Sequence, residues 1–177
     1  MPDDPHDRAP TIRTASVSDA AALVEIYRPF VERTAVSFEI DVPSVDAFAE
    51  RIAKSIEGWA YLVAEVGGRC AGYAYGSMHR ARPAYRWSTE VSAYVDPVFH
   101  RRGIGRLLYA RLFDALAQRG YCSAYAGIAL PNDASIALHR GVGFEPVGVF
   151  RAVGRKFGAW HDVSWWQRRL RDAPISE

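Results

Sequence analysis

The sequence predicts one mixed α/β domain: a central, largely antiparallel sheet with helices on its flanks. Three observations carry this reading. Apolar residues keep helical spacing up to Ile56, switch to strand-like runs from Trp59, and return to helical spacing from Ile104 to Leu116. Two of the strand-like runs are joined by Gly67-Gly68, a dipeptide suited to the positive φ of a hairpin turn. A third run leads through a glycine-containing loop straight into the most regular helix. A length of 177 residues suits a single domain of this kind, with room for a real core but not for two.

Taken in order, residues 1–10 are polar and read as a flexible N-terminus, and 11–172 as the domain. Thr11–Ala15 reads as a short strand. Ser18 is the expected cap of a helix whose stripe is Ala22, Leu23, Ile26 and Phe30. A connecting segment holds Ser37, Phe38 and Glu39. Pro43 and Ser44 then signal a second helix with Val45, Phe48, Ile52 and Ile56 on one face. The hairpin strands are Trp59–Val66 and Arg69–Met78, followed by an Arg-rich loop, His79–Arg86. Trp87–Asp96 is the next strand, stopped by Pro97. After the glycines, the helix carrying Ile104, Leu108, Leu112 and Leu116 ends at Gly120. Tyr121–Leu130 reads as a strand, Asp133–Arg140 as a short helix, and the chain from Gly143 to about Leu170 as two more strands.

Composition narrows the class. About half of the residues are apolar (49%), which argues against disorder. A formal net charge of +2 is too small for a nucleic-acid-binding field; the local clusters at Arg80–Arg82 and Arg101–Arg106 suit a small anion better. Cys70 and Cys122 sit in strand-like stretches as small hydrophobes, with no spacing that suggests a disulfide framework or metal site. The N-terminal stretch lacks the apolar segment of a secretory signal, so a cytoplasmic protein is expected.

The chemistry concentrates between Val95 and Leu116. Gly103 and Gly105 let backbone approach a ligand, the amides of the following first turn face outward, and the helix dipole favours an anion there. Arg101, Arg102 and Arg106 add full charges. The loop reads as a pyrophosphate cradle. A nucleoside-triphosphatase loop would need Gly-Lys-Ser/Thr, and a dinucleotide fingerprint would need a third glycine in an early βαβ unit; neither is present.

The loop resembles the Gln/Arg-x-x-Gly-x-Gly/Ala signature of GNAT acetyltransferases, with His100 at the Gln/Arg position. The element order from Ile12 to about Leu170 is similar to their acyl-CoA N-acyltransferase fold. Separate stretches resemble the phosphinothricin and methionine sulfoximine N-acetyltransferase branch. They are Val36–Glu39, Ala84–Glu90, Ala126–Asn132, Leu138-His139, Lys156–Val163 and Trp166-Gln167.

That resemblance implies acetyl-CoA as co-substrate, no metal, a small amine acceptor and a homodimer. It places Ala93, Tyr94, Val95, Arg101, Arg102, Gly103, Ile104, Gly105, Arg106 and Asn132 around acetyl-CoA, with a backbone amide at Tyr94-Val95 facing the thioester oxygen. Asn132 also looks like a helix N-cap; cofactor contact is the expectation for it. Glu90 is the general base in this reading, strengthened by partly apolar neighbours, Trp87 and Tyr94. His139, seven residues after Asn132, stands where many members have a Tyr acid and is expected to act as the acid or as partner of the base. The guanidiniums of Arg80 and Arg82 suit the anionic groups of a glutamate-like acceptor, with Phe38 and Tyr85 walling the pocket and Trp160 lining it from the last hairpin. Trp165 and Trp166 read as core or dimer-contact residues. Two other readings share these motifs: a general L-amino-acid or other amine N-acyltransferase, and a non-catalytic acyl-CoA-binding module in which Glu90 and His139 would have no role.

Overall fold

The structure, a computed structural model, describes residues 8–172. Most of the N-terminal stretch expected to be flexible, residues 1–7, lies outside the described residues. The elements follow the predicted order: β1 (Thr11–Thr14), α1 (Ala20–Arg33), α2 (Val45–Gly58), β2 (Tyr61–Val66), β3 (Arg69–Met78), β4 (Ser88–Val95), α3 (Ile104–Gln118), β5 (Ser123–Ala129), α4 (Asp133–Gly141), β6 (Glu145–Lys156) and β7 (Ala159–Arg169). They form one seven-stranded sheet in the order β1-β2-β3-β4-β5-β7-β6. Neighbouring strands run antiparallel except β4 and β5, which run parallel.

The sheet is covered on both faces, as the strand pattern requires. Strand β2 is buried along nearly its whole length, and its residues alternate between two cores. Leu62 and Ala64 join Leu108, Leu112 and Leu116 of α3 on one face. Tyr61 and Val63 join Leu23, Val31, Phe48 and Ile52 of α1 and α2 on the other. Trp166 is buried in the α3-side core, and Trp165 lies against Gly127 and the Phe150 ring.

One boundary differs from the sequence expectation. The cap is Ser16, not Ser18: a 3₁₀ turn over Val17–Asp19 precedes α1, and the Ser16 hydroxyl accepts from the Ser18 amide at 3.3 Å. Asp19, three residues on, accepts from the Ser16 amide at 2.7 Å, completing a reciprocal capping box. Arg13 pairs with Asp19 at 2.7 Å and so ties this turn to β1. Ser18 lies inside the turn, where its hydroxyl cannot cap. Among the described residues, no helix is long and apolar enough to cross a membrane, and no group of three or more His, Cys, Asp or Glu is arranged to hold a metal.

Candidate active site

The site is built on a parting of strands. β4 pairs with β5 only over Ser88–Glu90, opposite Ser123–Tyr125. Beyond that point β5 stays with β7, while β4 stays with β3 as far as Val95. The edge of β4 that faces β5 therefore carries backbone groups with no strand partner from Val91 onward. Backbone polar groups demand a partner, so this edge is a ready-made ligand-binding surface. A cleft of about 450 Å³ opens there. It brings together Ala93, Tyr94 and Val95 of β4, Arg101, Gly103, Ile104, Gly105 and Arg106 of the loop and first turn of α3, and Asn132 before α4.

The two glycines serve different ends. Gly103 caps α3 in the left-handed region at φ 77°, with no side-chain cap. The first bond of the helical ladder is Leu107 N–H to Gly103 C=O, so the amides of Ile104, Gly105 and Arg106 lie ahead of it. Gly105 was expected to serve ligand approach, but a Cβ there would meet Leu138 at 3.0 Å; its bareness lets α3 and α4 pack. Arg102 does not line the cleft, because its guanidinium sits 5.7 Å over the Phe99 ring instead. His100 Nε2 bonds the Val95 carbonyl at 2.9 Å and anchors the loop to the end of β4. Asn132 does cap α4, its Oδ1 accepting from Ser135 N–H at 3.1 Å. The carbonyl half of the side chain does this, and its amide nitrogen remains a donor.

Alternation along β4 puts Val91 and Ala93 under α3, and Glu90, Ser92 and Tyr94 on the face of α1. Tyr94 packs edge-on against Tyr27 and Phe30. The side chain of Glu90 is 33% exposed, and its Oε1 lies 3.0 Å from His79 Nδ1. The His79 ring is stacked on Tyr125 with centroids 4.4 Å apart and meets Tyr85 edge-on at 5.8 Å. Trp87, an expected apolar neighbour of Glu90, is exposed, with Arg86 4.8 Å over its ring.

His139 occupies the other face. It is buried at 5% exposure between the Tyr109 and Phe144 rings. Nδ1 lies 2.7 Å from the Ser135 carbonyl, which can only accept, so Nδ1 carries the proton and Nε2 accepts from the Tyr109 hydroxyl at 3.0 Å. Burial holds the imidazole below its ordinary pKa, in the neutral form, and pushes the Tyr109 phenol up. His139 is therefore not the partner of Glu90; that place belongs to His79. A small recess of about 60 Å³ at the parting touches Ser92, Tyr94, Tyr109, Gly127 and His139, so groups from both faces meet in it.

The expected acceptor residues are only partly gathered. Phe38 lies against Gly154 of β6, its ring 6.0 Å from His161. Its segment is pinned by Lys156, a buried residue that the sequence reading did not single out. The ammonium donates to the Val31 carbonyl at 2.6 Å and the Ser37 carbonyl at 2.7 Å, and burial lowers its basicity. Glu39 pairs with Arg51 of α2 at 2.6 Å. Arg80 and Arg82 are exposed and form no ion pair with a described residue, Tyr85 reaches the site by its contact with His79, and Trp160 is 64% exposed. On the same face a cavity of about 280 Å³ is lined by Phe48, Trp59, Tyr61 and Tyr75, with Arg51 and Lys54 also contributing. Its Ser77 stands directly opposite Glu90 in the β3–β4 register.

His79 and Tyr109 were the functional candidates missed. The signal for His79 was present: counting back the β3–β4 hairpin places it two residues past the partner of Glu90. Tyr109 gave no signal, because it falls beside the apolar stripe of α3.

Comparison with known proteins shows the family. The acetyltransferase (GNAT) domain family matches residues 12–165. A phosphinothricin N-acetyltransferase of Streptomyces viridochromogenes is 37% identical over 164 residues, 93% of this chain and 90% of its own. An L-methionine sulfoximine/L-methionine sulfone acetyltransferase of Salmonella typhimurium is 37% identical over 163 residues, 90% of this chain and 94% of its own. Among solved structures, a GNAT superfamily phosphinothricin acetyltransferase from Sinorhizobium meliloti in complex with acetyl-CoA superposes with a TM-score of 0.89 at 35% identity, covering 95% of this chain and 92% of that one. With its strand parting, its uncapped α3 N-terminus and these likenesses spanning almost its whole length, the chain belongs to the GNAT acetyltransferase family.

Proposed function

We propose that the protein moves an acetyl group from acetyl-CoA to the α-amino group of a small amino-acid-like acceptor, such as phosphinothricin or methionine sulfoximine or sulfone. The amine attacks directly, with Glu90 as general base. The observation that carries this reading is the parting of β4 from β5, with Glu90 where the strands last pair and the uncapped α3 N-terminus at the far end of the cleft. The residues present fit acetyl-CoA. The amides of Ile104, Gly105 and Arg106, with the Arg101 and Arg106 guanidiniums, suit a pyrophosphate, and the unpaired β4 edge with Asn132 suits an amide-bearing arm. Bound there, acetyl-CoA supplies an activated carbonyl and a thiolate leaving group.

The chain's own groups then have distinct tasks. Glu90 takes the proton of the amine, directly or through a water, since an α-ammonium with a pKa near 8 is no nucleophile. A backbone amide at Tyr94-Val95 donates to the oxygen on which negative charge develops. The departing sulfur leaves as a thiolate and takes its proton from solvent, while the Tyr109 hydroxyl, donated to neutral His139, lines the recess at the strand parting. Arg80 and Arg82 offer cations to the anionic ends of the acceptor, and Phe38, Tyr85 and Trp160 wall it. The need for acetyl-CoA points to the cytoplasm as its place of work. The exposed apolar residues of edge strand β6, Val147, Val149, Phe150 and Val153, support a homodimer.

A second reading, a general L-amino-acid N-acyltransferase, is favoured by the ring-lined cavity beside Tyr75 and Ser77, which has room for a larger apolar side chain. Thiol release from acetyl-CoA separates the two when phosphinothricin, methionine sulfoximine, methionine sulfone and aromatic and aliphatic amino acids are compared. Glu90→Gln is expected to slow the preferred acceptor by about 10²–10⁴-fold. Turnover that prefers the aromatic acceptors would favour the second reading. Binding of acetyl-CoA without turnover on any of them would overturn both.

A further inference from the structure

β3 leaves the sheet at Met78, opposite Thr89, and the next residue folds its side chain back over the junction of β4 and β5. There the His79 imidazole is packed among three rings: Tyr125 stacked beneath it, and Tyr85 and Trp165 edge-on at 5.8 and 6.5 Å. Tyr125 is the residue of β5 that pairs with Glu90. The ring therefore lies over the last rung before the strands part, and its orientation is set by packing. Its Nδ1 is 3.0 Å from Glu90 Oε1. An ionised carboxylate can only accept, so Nδ1 donates. Among the described residues no other side chain is bonded to the Glu90 carboxylate, which would otherwise be as free to change rotamer as that of any partly exposed glutamate.

We propose that His79 is a positioning residue for the general base. Its Nδ1–H engages Oε1 and keeps Glu90 in one rotamer, so that Oε2 is presented to the amine at the parting of the strands. In the proton transfer, the N–H bond of the attacking amine breaks and an O–H bond forms at Oε2, or at the water that Oε2 holds. The imidazole neither gains nor loses a proton. This rests on Glu90 being the base, and it adds what makes a partly exposed glutamate serve as one: a fixed aim, which catalysis by orientation requires.

The test uses steady-state kinetics of the full chain with His79→Phe, His79→Asn, Glu90→Gln and the double variant His79→Phe/Glu90→Gln. Phe keeps the stack on Tyr125 and removes the donor, while the Asn side-chain amide places a donor close to where Nδ1 stood. His79→Phe is expected to lower kcat by roughly 10- to 100-fold. Acetyl-CoA binding, read by calorimetry, should be unchanged. His79→Asn should recover most of the loss, and adding His79→Phe to Glu90→Gln should cost nothing further, because the two act as one unit. Wild-type kcat in His79→Phe, or an Asn variant as slow as Phe, would overturn the positioning role while a slow Glu90→Gln left the base assignment standing. A fully active Glu90→Gln would overturn the base assignment itself, and this inference with it.

Discussion

At the scale of single residues, His139 and His79 show how surroundings decide what a histidine does. His139 is buried, its two nitrogens are both occupied within the fold, and its pKa is held below the ordinary value by desolvation. In the unfolded chain it would take up a proton as pH falls through about 6.5, while in the folded protein it does so only at lower pH. The unfolded state then binds more protons, so stability contributed by this site is complete above pH 6.5 and is lost as pH falls toward the folded value. Urea denaturation followed from pH 7.5 to 5 should show this fall. His139→Gln should be less stable at pH 7.5 but lose less over the same window; parallel curves for the two proteins would contradict the assignment. Glu90 and His139 were singled out from the sequence because each falls within a recognisable local stretch, although the structure does not give His139 the place beside Glu90. His79 was not singled out, since its meaning comes from a neighbour eleven positions away on the adjacent strand. Lys156 was hidden more deeply: its partners, the Val31 and Ser37 carbonyls, are backbone atoms more than a hundred residues distant.

At the scale of elements, the α3 N-terminus is where local sequence and the proposed cofactor contact coincide most closely. Gly103 is required by its φ of 77° alone, for nothing lies within 4 Å of where a Cβ would stand. Gly103→Ala should cost about 1–2 kcal/mol through the left-handed backbone. It should also weaken acetyl-CoA binding by shifting the first-turn amides. Gly105→Ala should act differently, pressing on Leu138 and lowering the melting temperature by displacing α4. Calorimetric titration with acetyl-CoA beside thermal melts checks both, and an unaltered acetyl-CoA affinity in Gly103→Ala would argue against the cradle. The helices and strands themselves were readable from periodicity to within a few residues. Ser16 displaced Ser18 as the cap because a capping box needs an acid three residues on, and only Ser16 has one there. The sequence reading set the α4 cap at Asn132 against cofactor contact; the structure shows the cap, made by the carbonyl half alone, because residue type does not say which half of a side-chain amide is engaged.

At the scale of the whole molecule, the sheet ends in β6, an edge strand with large exposed apolar residues; Phe150 is 49% exposed and Val153 51%. A second copy covering this edge would bury them. Light scattering after gel filtration should give a dimer for the natural chain, and Phe150→Glu should shift it toward monomer with the fold intact by circular dichroism. A monomeric natural chain would remove the homodimer. What the sequence by itself determined is the local order: which segments alternate at period two, which wind at 3.6, where the glycine loop sits and which branch of a family its stretches resemble. Those depend on neighbours along the chain, so they can be read in one dimension. The pairing of β4 with β5 over three residues and no further, the two faces that separate Glu90 from His139, and the rings that hold His79 were decided only by the tertiary structure. Each depends on atoms brought together across the sheet, and strand order and register are set by the packing of both faces at once.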